Sequence, residues 1–407
     1  MKILIVSNNL NPSAGGAAAV ACDEIRALLG RQHQVFVFTL ASADQQGQEL
    51  SGVTYYYSPF YQTRYLFRQY VCLRRFRVER EFRHLLETLR PDIIHFHNLY
   101  YELPFSLLKI ARHAGTRVYY TAHDVMTFSP VKLNNFVNAA WTLDNIDSVN
   151  YHLSFFERLR QGGRSFNPSR NFFIRYYLKH CHKIITVSRE LQKALAHNGI
   201  ANTLTIHNPI SPLAWAVDAN EVGSLRQNLG LTGKKIILFA GRLSGNKGGG
   251  VLLSAFSSIV AAEPQARLLI LGERNNYVQT LLAQGEVDGL SDYIIFNGPV
   301  KRDQMKLYYY LSDVVVVPSI CFDSYPTINL EAFACGKPVV STIFGGSREI
   351  VVDGKNGFLV NPLKFNELSD RIISLLKNAS LRETFGRAGL ASVNRDGYSA
   401  LNQLLNL

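Results

Sequence analysis

Two acidic side chains lie eight positions apart in the stretch CFDSYPTINLEAFACGKPVVS, residues 321–341. Pro326 suits the first turn of a helix, because its missing N–H would have no partner there. The sequence therefore predicts a short helix over residues 326–334, with Asp323 in the loop before it and Glu331 inside it. At a rise of about 1.5 Å per residue, the two carboxylates would be on the order of 10 Å apart.

This spacing is too long for the two carboxyl groups to share a proton. Backbone N–H groups at Tyr325, Thr327 and Ile328 would point out of the same helix end, which favours phosphate or another electron-rich oxygen. The layout suits an extended polyhydroxylated ligand, with a carboxylate binding hydroxyls at each end and N–H donors between them. For this stretch alone, the alternative is a surface aspartate and an ordinary helix glutamate.

Cations and glycines stand in the loop GRLSGNKGGG, residues 241–250, which leads into a helix at VLLSAF. Arg242 and Lys247 lie five positions apart in this loop. Two cations beside a helix N-terminus indicate a pyrophosphate site, although the Walker pattern G-x-x-x-x-G-K-[ST] is not met. With Glu331 on ribose hydroxyls and Asp323 on a sugar, these cations would complete a site for a nucleoside diphosphate sugar.

Glycines and histidines follow strands in the first half of the chain. Gly15 and Gly16 precede a helix, which allows the backbone to approach a phosphate or sugar, but no G-x-G-x-x-G fingerprint is present. His123, in TAHDV, is either a polar contact to a reacting sugar or a structural histidine. The H-x-H of HFHN (95–98) suggests a metal, yet no further carboxylate or thiolate spacing supports one, and we predict no metal site.

Short apolar runs rich in β-branched residues alternate with helix-length segments. This pattern predicts parallel sheets with helices on both faces, in two doubly wound α/β domains whose ligands bind beyond the carboxyl ends of the strands. The runs are KILIVS (2–7), QVFVFTL (34–40), DIIHFH (92–97), RVYYTAH (117–123), KIITVS (183–188), KIILFAG (235–241), RLLILGE (267–273), YIIFNG (293–298), VVVVPS (314–319) and PVVST (338–342).

The length of 407 residues fits two domains. A Pro-containing stretch, HNPISPLAWAVDAN, separates the two series of strands. We predict a Rossmann-like N-terminal domain over residues 1–205, a linker over 206–220 and a Rossmann-like C-terminal domain over 221–385. The two domains are expected to face each other across a cleft.

Cysteine usage and hydropathy bear on the compartment. The five cysteines are odd in number, scattered and free of C-x-x-C spacing, which indicates reduced thiols in the cytoplasm rather than a zinc site. The N-terminal run MKILIVSNN is too short for a signal peptide, and no stretch of about 18 apolar residues occurs. We therefore predict a cytoplasmic protein.

Positive charge is clustered, and the formal net charge is +12. The first cluster contains Arg64, Arg68, Arg74, Arg75, Arg77, Arg80, Arg83 and Arg90, interleaved with Tyr65, Leu66, Phe67, Tyr70, Val71, Phe76, Phe82 and Leu85. The second contains Arg158, Arg160, Arg164, Arg170, Arg175 and Lys179 among Phe155, Phe156, Phe172, Phe173, Tyr176 and Tyr177. Cations among aromatics attract an anionic membrane surface or lipid-linked substrate, and also nucleic acid. We predict the membrane or lipid-linked partner and no nucleic acid; the alternative is a solvated basic helix with a core-facing stripe.

In its motifs the sequence resembles the family 4 retaining glycosyltransferases of the GT-B fold, the glycosyl transferases group 1. The matching segments, in chain order, are the Gly-Gly loop, PDIIHFHN, TAHD, ITVSRELQKAL, the GRLxxxKG loop, VVVVPS and LEAFACGKPVVST followed by GGSREIV. The resemblance implies these donor contacts: Gly16, Arg242 and Lys247 on the diphosphate, Glu331 on the ribose, His123 beside the sugar, and Tyr325, Pro326 and Thr327 beneath sugar and phosphate.

One position departs from the family pattern. The first glutamate of the family's acidic pair is Asp323 here, about one methylene shorter. Because the charge is kept, the resemblance still implies hydroxyl recognition and stabilisation of an oxocarbenium-like transition state. The shorter side chain is expected to change its reach or the sugar preference.

The family implies transfer of a hexose-type sugar with retention of configuration and without metal or cofactor, the donor phosphate accepting the acceptor's proton. It also implies acceptor binding by the N-terminal domain and a C-terminal segment, about 386–407, that crosses back onto that domain. The basic clusters then suggest a lipid-linked or cell-surface glycan as acceptor, at the inner face of a membrane. Two alternatives remain: an inactive GT-B subunit of a glycan-assembly complex and a GT-B sugar-nucleotide epimerase.

Overall fold

The computed structural model describes residues 1–12, 15–41, 50–60, 63–100, 102–241, 245–272, 289–393 and 398–405. The chain divides into two compact units, one comprising Met1–Leu133, Asn150–Asn208 and Tyr398–Leu407, the other Asn134–Val149 and Pro209–Gly397. Residues 134–149 thus belong to the second unit, although the sequence analysis places them in the first domain. Within the second unit, this segment packs the ring of Phe136 against Phe322 and Phe344.

Thirteen strands are present in the described part of the chain. They are β1 (Lys2–Ser7), β2 (Gln34–Ala41), β3 (Thr54–Pro59), β4 (Ile93–His97), β5 (Arg117–Ala122), β6 (Lys183–Thr186), β7 (Thr203–Thr205), β8 (Lys235–Ala240), β9 (Ala266–Leu271), β10 (Ile294–Phe296), β11 (Val314–Val317), β12 (Val339–Thr342) and β13 (Gly357–Val360). Each of the ten predicted runs forms one of these strands, and β3, β7 and β13 are additional.

The helices occupy the segments between strands. They are α1 (Gly16–Gly30), α2 (Arg68–Val71), α3 (Phe76–Leu89), α4 (Ser106–His113), α5 (Phe155–Gly162), α6 (Arg170–Leu178), α7 (Arg189–His197), α8 (Ala219–Asn228), α9 (Gly249–Ala262), α10 (Arg302–Leu311), α11 (Thr327–Ala334), α12 (Phe365–Lys377), α13 (Ala379–Ser392) and α14 (Ser399–Leu405). Among the described residues, no helix is long and apolar enough to cross a membrane.

The first unit is built on a seven-stranded sheet in the order β3-β2-β1-β4-β5-β6-β7, and every pairing is parallel. Ile3 on the central strand pairs with Val35 on one side and Ile93 on the other. All three are buried because helices cover both faces of the sheet. The last helix, α14, inserts Leu401 and Leu405 into this same core.

The second unit is built on a six-stranded parallel sheet in the order β10-β9-β8-β11-β12-β13. Its core includes Phe239 from β8, Phe256 from α9 and Ile372 from α12. Because β8, β11 and β12 are adjacent and parallel, the loops that follow them leave the sheet at one edge. These loops carry most of the predicted donor-binding residues.

The five cysteines all lie within the described residues, and no disulfide joins any two of them. Every one is buried. Burial raises the pKa of Cys335 to about 12, with the carboxylate of Glu331 adding to the effect. This thiol is therefore protonated and unreactive at neutral pH.

Candidate functional site

The second unit brings Lys247 and Asp323 into direct contact. Lys247 ends a 3₁₀ turn after β8, and Asp323 follows β11. The Nζ atom of Lys247 lies 2.5 Å from Oδ2 of Asp323, and the hydroxyl of Ser319 donates to the same oxygen at 3.0 Å. The Lys247 side chain is 33% exposed and that of Asp323 is 14% exposed. The predicted diphosphate cation and the predicted sugar carboxylate therefore form one partly accessible ion pair.

Glycines let the neighbouring loops pack tightly around this pair. Gly248 has φ of 75°, and a Cβ there would lie 1.8 Å from the carbonyl oxygen of Pro318. Gly345 has φ of 74°, and its Cβ would lie 2.3 Å from the carbonyl oxygen of Asp323. That same oxygen accepts a hydrogen bond from the N–H of Gly346 at 2.8 Å. The backbone at Asp323 is thereby fixed by the loop after β12.

The helix predicted from the acidic stretch is α11, which begins at Thr327 with Pro326 in the N-cap position. No side chain caps it. The first N–H groups of a helix have no acceptor within the helix, so this end presents donors and the positive end of the helix dipole. Beside it, burial and the charge of Glu349 raise the pKa of Tyr325, which keeps the phenol protonated.

Glu331 is 7% exposed, and its carboxylate is oriented by partners. Oε2 accepts a hydrogen bond from the Tyr309 hydroxyl at 2.6 Å, and Oε1 lies 3.9 Å from Nη1 of Arg302. Burial, followed by the Glu331 charge, raises the pKa of Tyr309 well above its usual range, so Tyr309 is a permanent donor. Trp215 packs edge-on against Tyr309 and also lies beneath the Arg302 guanidinium. Neighbouring side chains therefore hold the Glu331 carboxylate in place.

Three further predicted donor contacts are Arg242, Gly15 and Gly16. Arg242 lies outside the described residues. Gly15 and Gly16 stand at the start of α1, where Gly15 is the N-cap with φ of 150° and Gly16 is the first helical residue. A Cβ on Gly15 would meet nothing within 4 Å, so its backbone conformation, rather than crowding, favours glycine there.

His123 follows β5 in the first unit and is partly exposed. Its N–H donates to Oδ1 of Asn98 at 2.9 Å, which fixes the backbone. Its Nε2 atom lies 3.0 Å from Nδ1 of His97, and the two rings stack with centroids 5.3 Å apart. The ring is thus held from one side by a second imidazole.

Glu24, which lies behind these histidines on α1, is not among the residues predicted from the sequence. Its Oε1 lies 2.6 Å from Nδ1 of His95, and its Oε2 lies 3.1 Å from Nε2 of His97. The second contact lacks the direction of a hydrogen bond, so it is chiefly electrostatic. The other His95 nitrogen, Nε2, lies 2.7 Å from the hydroxyl of Thr121. Glu24, His95 and His97 are all buried.

Charges inside this cluster shift its pKa values. Burial by itself would raise the pKa of Glu24, but His95 and His97 outweigh it and hold that pKa well below the usual range. Burial, then the charge of His95, lowers the pKa of His97 against the opposing effect of Glu24. Burial, then the two histidines, lowers the pKa of His123 well below its ordinary value. Glu24 is therefore anionic at neutral pH, while His97 and His123 are neutral.

Glu24, His95 and His97 are residue types that bind metals, and their nearest ligand atoms lie within 4.8 Å of one another. Two atoms bound to one tetrahedral ion at about 2.0–2.1 Å would be about 3.3 Å apart. The separation of 2.6 Å between Glu24 and His95 is shorter and fits a charge-assisted hydrogen bond. The arrangement of these three side chains fits hydrogen bonds between them better than binding of a common metal ion.

Comparison with known proteins places these features in a family. The family model described as Glycosyltransferase Family 4 matches residues 14–212, and that described as Glycosyl transferases group 1 matches residues 223–391. The chain is 34% identical over 171 residues to spore coat protein SA of Bacillus subtilis, covering 40% of this chain and 45% of the relative. It is 34% identical over 185 residues to D-inositol 3-phosphate glycosyltransferase of Xylanimonas cellulosilytica, covering 44% and 43%. The chain spans less than half the length of these two curated relatives.

Among solved structures, HepE of Anabaena in complex with UDP is similar over 100% of both chains, with a TM-score of 0.73 and 21% identity. At that identity the similarity shows the fold, which is GT-B. The two family models cover successive parts of the chain that together make up most of its length. The chain therefore belongs to the glycosyl transferases group 1, glycosyltransferase family 4.

Proposed function

We propose that the protein is a glycosyltransferase that moves a sugar from a nucleoside diphosphate sugar to an acceptor. The observation that carries this proposal is the ion pair of Lys247 and Asp323 beside the N-terminus of α11. A cation, the N–H groups at a helix N-terminus and an oriented carboxylate at Glu331 offer partners for a diphosphate and for sugar hydroxyls. Membership of the family supports the same reading.

Each part of the nucleotide sugar has a proposed partner in the protein. Lys247 exchanges Asp323 for the diphosphate, with Arg242 as the second cation. Glu331 accepts hydrogen bonds from the ribose hydroxyls, because its orientation by Tyr309 leaves acceptor capacity on the carboxylate. The remaining proposed donor contacts are Gly15, Gly16, Tyr325, Pro326 and Thr327.

In the proposed reaction, the bond between the anomeric carbon and the diphosphate oxygen breaks while the acceptor oxygen forms a bond on the same face of the sugar. The acceptor's hydroxyl proton passes to the leaving diphosphate, so the path needs neither a metal nor a protein base. Lys247 and Arg242 stabilise the charge that develops on the diphosphate, each on the order of 3 kcal/mol. Asp323 stabilises positive charge on the sugar ring, and His123 hydrogen-bonds to a sugar hydroxyl.

Release of nucleoside diphosphate from candidate donors tests this reaction. We would incubate the protein with UDP-glucose, UDP-galactose, UDP-N-acetylglucosamine and GDP-mannose and quantify free UDP or GDP together with the sugar product. A hexosyltransferase should release diphosphate slowly with one donor, and Lys247→Ala should release at least 100-fold less. Conversion of the donor to an epimer would support the epimerase alternative. Intact donors in every reaction would support the inactive-subunit alternative.

The two basic clusters of the sequence adjoin each other in the first unit. The hydroxyl of Tyr70 donates to the carbonyl of Phe166 at 3.2 Å, and Gln69 hydrogen-bonds to Ser165 and Asn167. We call the joint area the basic aromatic surface. Its exposed apolar side chains are Tyr65, Leu66, Phe67, Tyr70, Phe76, Phe155, Phe156, Leu159, Phe172, Phe173 and Tyr176.

The structure corrects part of the sequence interpretation of these clusters. Phe82 and Leu85 are buried in the core rather than exposed. Arg170 is only 2% exposed and hydrogen-bonds to the carbonyl of Met126 and to Asn171, so it is a structural residue. Phe156, in contrast, is 77% exposed. The basic aromatic surface still contains exposed aromatic rings among arginines when these three buried residues are left out.

The basic aromatic surface supports an anionic, membrane-bound acceptor such as a lipid-linked glycan, because exposed rings and arginines together favour anionic lipid headgroups. We propose that the protein binds the inner face of a membrane through this surface. Arg64, Arg80 and Arg160 are exposed, which makes them suited to charge reversal. Arg74 is unsuited, because it forms two hydrogen bonds with the buried carboxylate of Glu79.

Vesicle sedimentation tests the surface. The triple variant Arg64→Glu, Arg80→Glu, Arg160→Glu should bind phosphatidylglycerol vesicles at least tenfold more weakly than the unmodified protein, since each basic residue contributes about 1 kcal/mol. A matched control, Arg31→Glu, Lys301→Glu, Lys355→Glu, changes the net charge equally at exposed sites elsewhere. Equal binding of the two variants to phosphatidylglycerol vesicles would contradict the proposal. Binding of the unmodified protein to phosphatidylcholine vesicles as tightly as to phosphatidylglycerol vesicles would also contradict it.

A further inference from the structure

A buried carboxylate is connected to His123 through one intervening imidazole. The connection runs from Oε2 of Glu24 to Nε2 of His97 over 3.1 Å, and from Nδ1 of His97 to Nε2 of His123 over 3.0 Å. Glu24 comes from α1, His97 from β4 and His123 from the position directly after β5. Three elements of one unit thus converge on a single ring that the proposed reaction uses.

The ring nitrogens that carry protons in His95, His97 and His123 can be assigned by elimination. An ionised carboxylate only accepts hydrogen bonds, so His95, at 2.6 Å from Glu24, must present its Nδ1–H. The other nitrogen of His95 lies 2.7 Å from the hydroxyl of Thr121, which can donate or accept and therefore suits either protonation state of that nitrogen. His97 faces the same anion with Nε2, and a lone pair there would repel the carboxylate, whereas an N–H is attracted to it.

The remaining protons follow from neutrality. A neutral His97 with its proton on Nε2 has a lone pair on Nδ1. That lone pair must accept from the atom opposite, so His123 carries its proton on Nε2. The Nδ1 atom of His123 is then unprotonated and carries a lone pair, and no hydrogen bond to it is found among the described residues.

We propose that Glu24 is a positioning residue that acts through His97 to fix His123 as a hydrogen-bond acceptor at Nδ1. The inference rests on the proposed function for its catalytic consequence. A ring fixed in this way accepts a hydrogen bond from a sugar hydroxyl and leaves that hydroxyl unable to donate elsewhere. The role explains why an acid and two histidines are buried together with few other polar partners.

Exchange of the Glu24 carboxylate for an amide should move the protons of His97 and His123 to the opposite ring nitrogens. In Glu24→Gln, the amide oxygen still accepts from His95, so the amide NH₂ faces Nε2 of His97, where it repels an N–H and is attracted to a lone pair. His97 must then carry its proton on Nδ1 and donate to His123. The proton of His123 consequently moves to Nδ1, and the ring becomes a donor toward the substrate.

Nitrogen-15 NMR of the histidine side chains tests the assignment without any substrate. We would label the full-length protein at histidine and assign the rings with His97→Gln and His123→Gln. The unmodified protein should show His123 protonated at Nε2 only, and Glu24→Gln should show it protonated at Nδ1. A matched control, Thr121→Val, removes a buried hydroxyl from the same cluster and should leave His123 unchanged. If the native protein already carries the Nδ1 proton, the proposal is wrong whether or not the variant folds.

A kinetic comparison tests the consequence. Glu24→Gln should lower kcat for donor hydrolysis about tenfold, the scale of one hydrogen bond, and leave the KM of the donor within threefold. Thr121→Val should keep kcat within threefold. A kcat equal to the native value in Glu24→Gln would overturn the inference while leaving the proposed function intact. A native protein that turns over no donor would overturn the proposed function, and the NMR result would still decide the tautomer.

Zinc provides a last discriminating probe. If Glu24, His95 and His97 bind an ion, Zn²⁺ alone should bind tightly with one-to-one stoichiometry in calorimetry, and Glu24→Gln should abolish binding. That result would overturn the proposal, because the ring nitrogens would then hold metal instead of protons. We expect no stoichiometric binding.

Discussion

The ammonium of Lys247 lies 2.5 Å from the carboxylate of Asp323. Both side chains are proposed to bind the donor, one through the diphosphate and one through the sugar. In the structure as it stands they bind each other. A donor diphosphate must therefore compete with Asp323 for the same cation.

Asp323→Asn should bind a nucleoside diphosphate more tightly than the native protein and turn its sugar conjugate over more slowly. The amide removes the competing charge near Lys247, and it also removes the negative charge proposed to stabilise the transition state. We expect roughly threefold to tenfold tighter binding of UDP, or of whichever diphosphate the protein prefers, by calorimetry. The kcat for donor hydrolysis should fall by at least tenfold.

Asp323→Glu is the matched control, since it restores the family residue and keeps the charge. It should leave diphosphate affinity within about threefold of the native value. Weaker diphosphate binding in Asp323→Asn would contradict the competition between Asp323 and the ligand for Lys247.

Glu331 should distinguish a ribonucleotide from its 2′-deoxy form. Its carboxylate is oriented by the Tyr309 hydroxyl at 2.6 Å, and ribose hydroxyls are its proposed ligands. The native protein should bind the 2′-deoxy diphosphate about tenfold more weakly than the ribonucleotide, because one hydrogen bond to a charged group is lost. Glu331→Gln should bind both forms with similar, weaker affinity in the same calorimetric assay. A native protein that does not discriminate would exclude this role for Glu331.

Gly248 should tolerate alanine far less well than a glycine in open space. At Gly248 a Cβ would overlap the carbonyl oxygen of Pro318 at 1.8 Å, in addition to the strain of a φ of 75°. Gly354 has a similar φ of 70° but meets nothing within 4 Å. Gly354→Ala isolates the backbone strain, about 1–2 kcal/mol. Gly248→Ala should lower the melting temperature by at least twice as much, and equal shifts in thermal denaturation would contradict the packing described.

Neutral His123 should make the folded protein sensitive to acid. Its pKa in the folded state lies below the ordinary value of 6.5, so the unfolded chain binds more protons below that pH. The stability associated with neutral His123 is fully present above about pH 6.5 and is lost as the pH falls, by up to about 1.4 kcal/mol per pH unit.

Thermal denaturation between pH 7.5 and 5.5 measures this effect. The melting temperature of the native protein should fall more steeply than that of His123→Gln, which lacks the group. His84→Gln removes an exposed histidine on α3 and should follow the native curve. Parallel curves for native protein and His123→Gln would show that His123 titrates normally.

The strands that the sequence analysis missed share a position in the fold. β3 and β7 are the two edges of the first sheet, and β13 is an edge of the second. A central strand of a parallel sheet is covered on both faces and forms a continuous apolar run, whereas an edge strand is less covered and often short. β3 is mostly half-buried and β7 has only three residues, so neither shows the pattern that identifies the central strands.

The candidate site shows a similar division. The acidic stretch predicts helix α11 within one residue, because its proline is a local signal. The ion pair of Lys247 and Asp323 joins residues 76 positions apart, and the contact between Glu24 and His95 joins residues 71 apart. Local rules carry no information on such pairings. An acid on the apolar face of α1 was the available signal for Glu24, since Ile25 and Leu28 on the same helix are buried.

The proposed function requires that the second unit bind a nucleoside diphosphate through Lys247. A thermal-shift screen of the protein against UDP, GDP, ADP and CMP measures this binding, with Lys247→Ala as the variant and Lys355→Ala, at an exposed lysine, as its control. We expect a shift of several degrees with one diphosphate, kept in Lys355→Ala and absent in Lys247→Ala. No shift with any nucleotide, or an equal shift in Lys247→Ala, would contradict it.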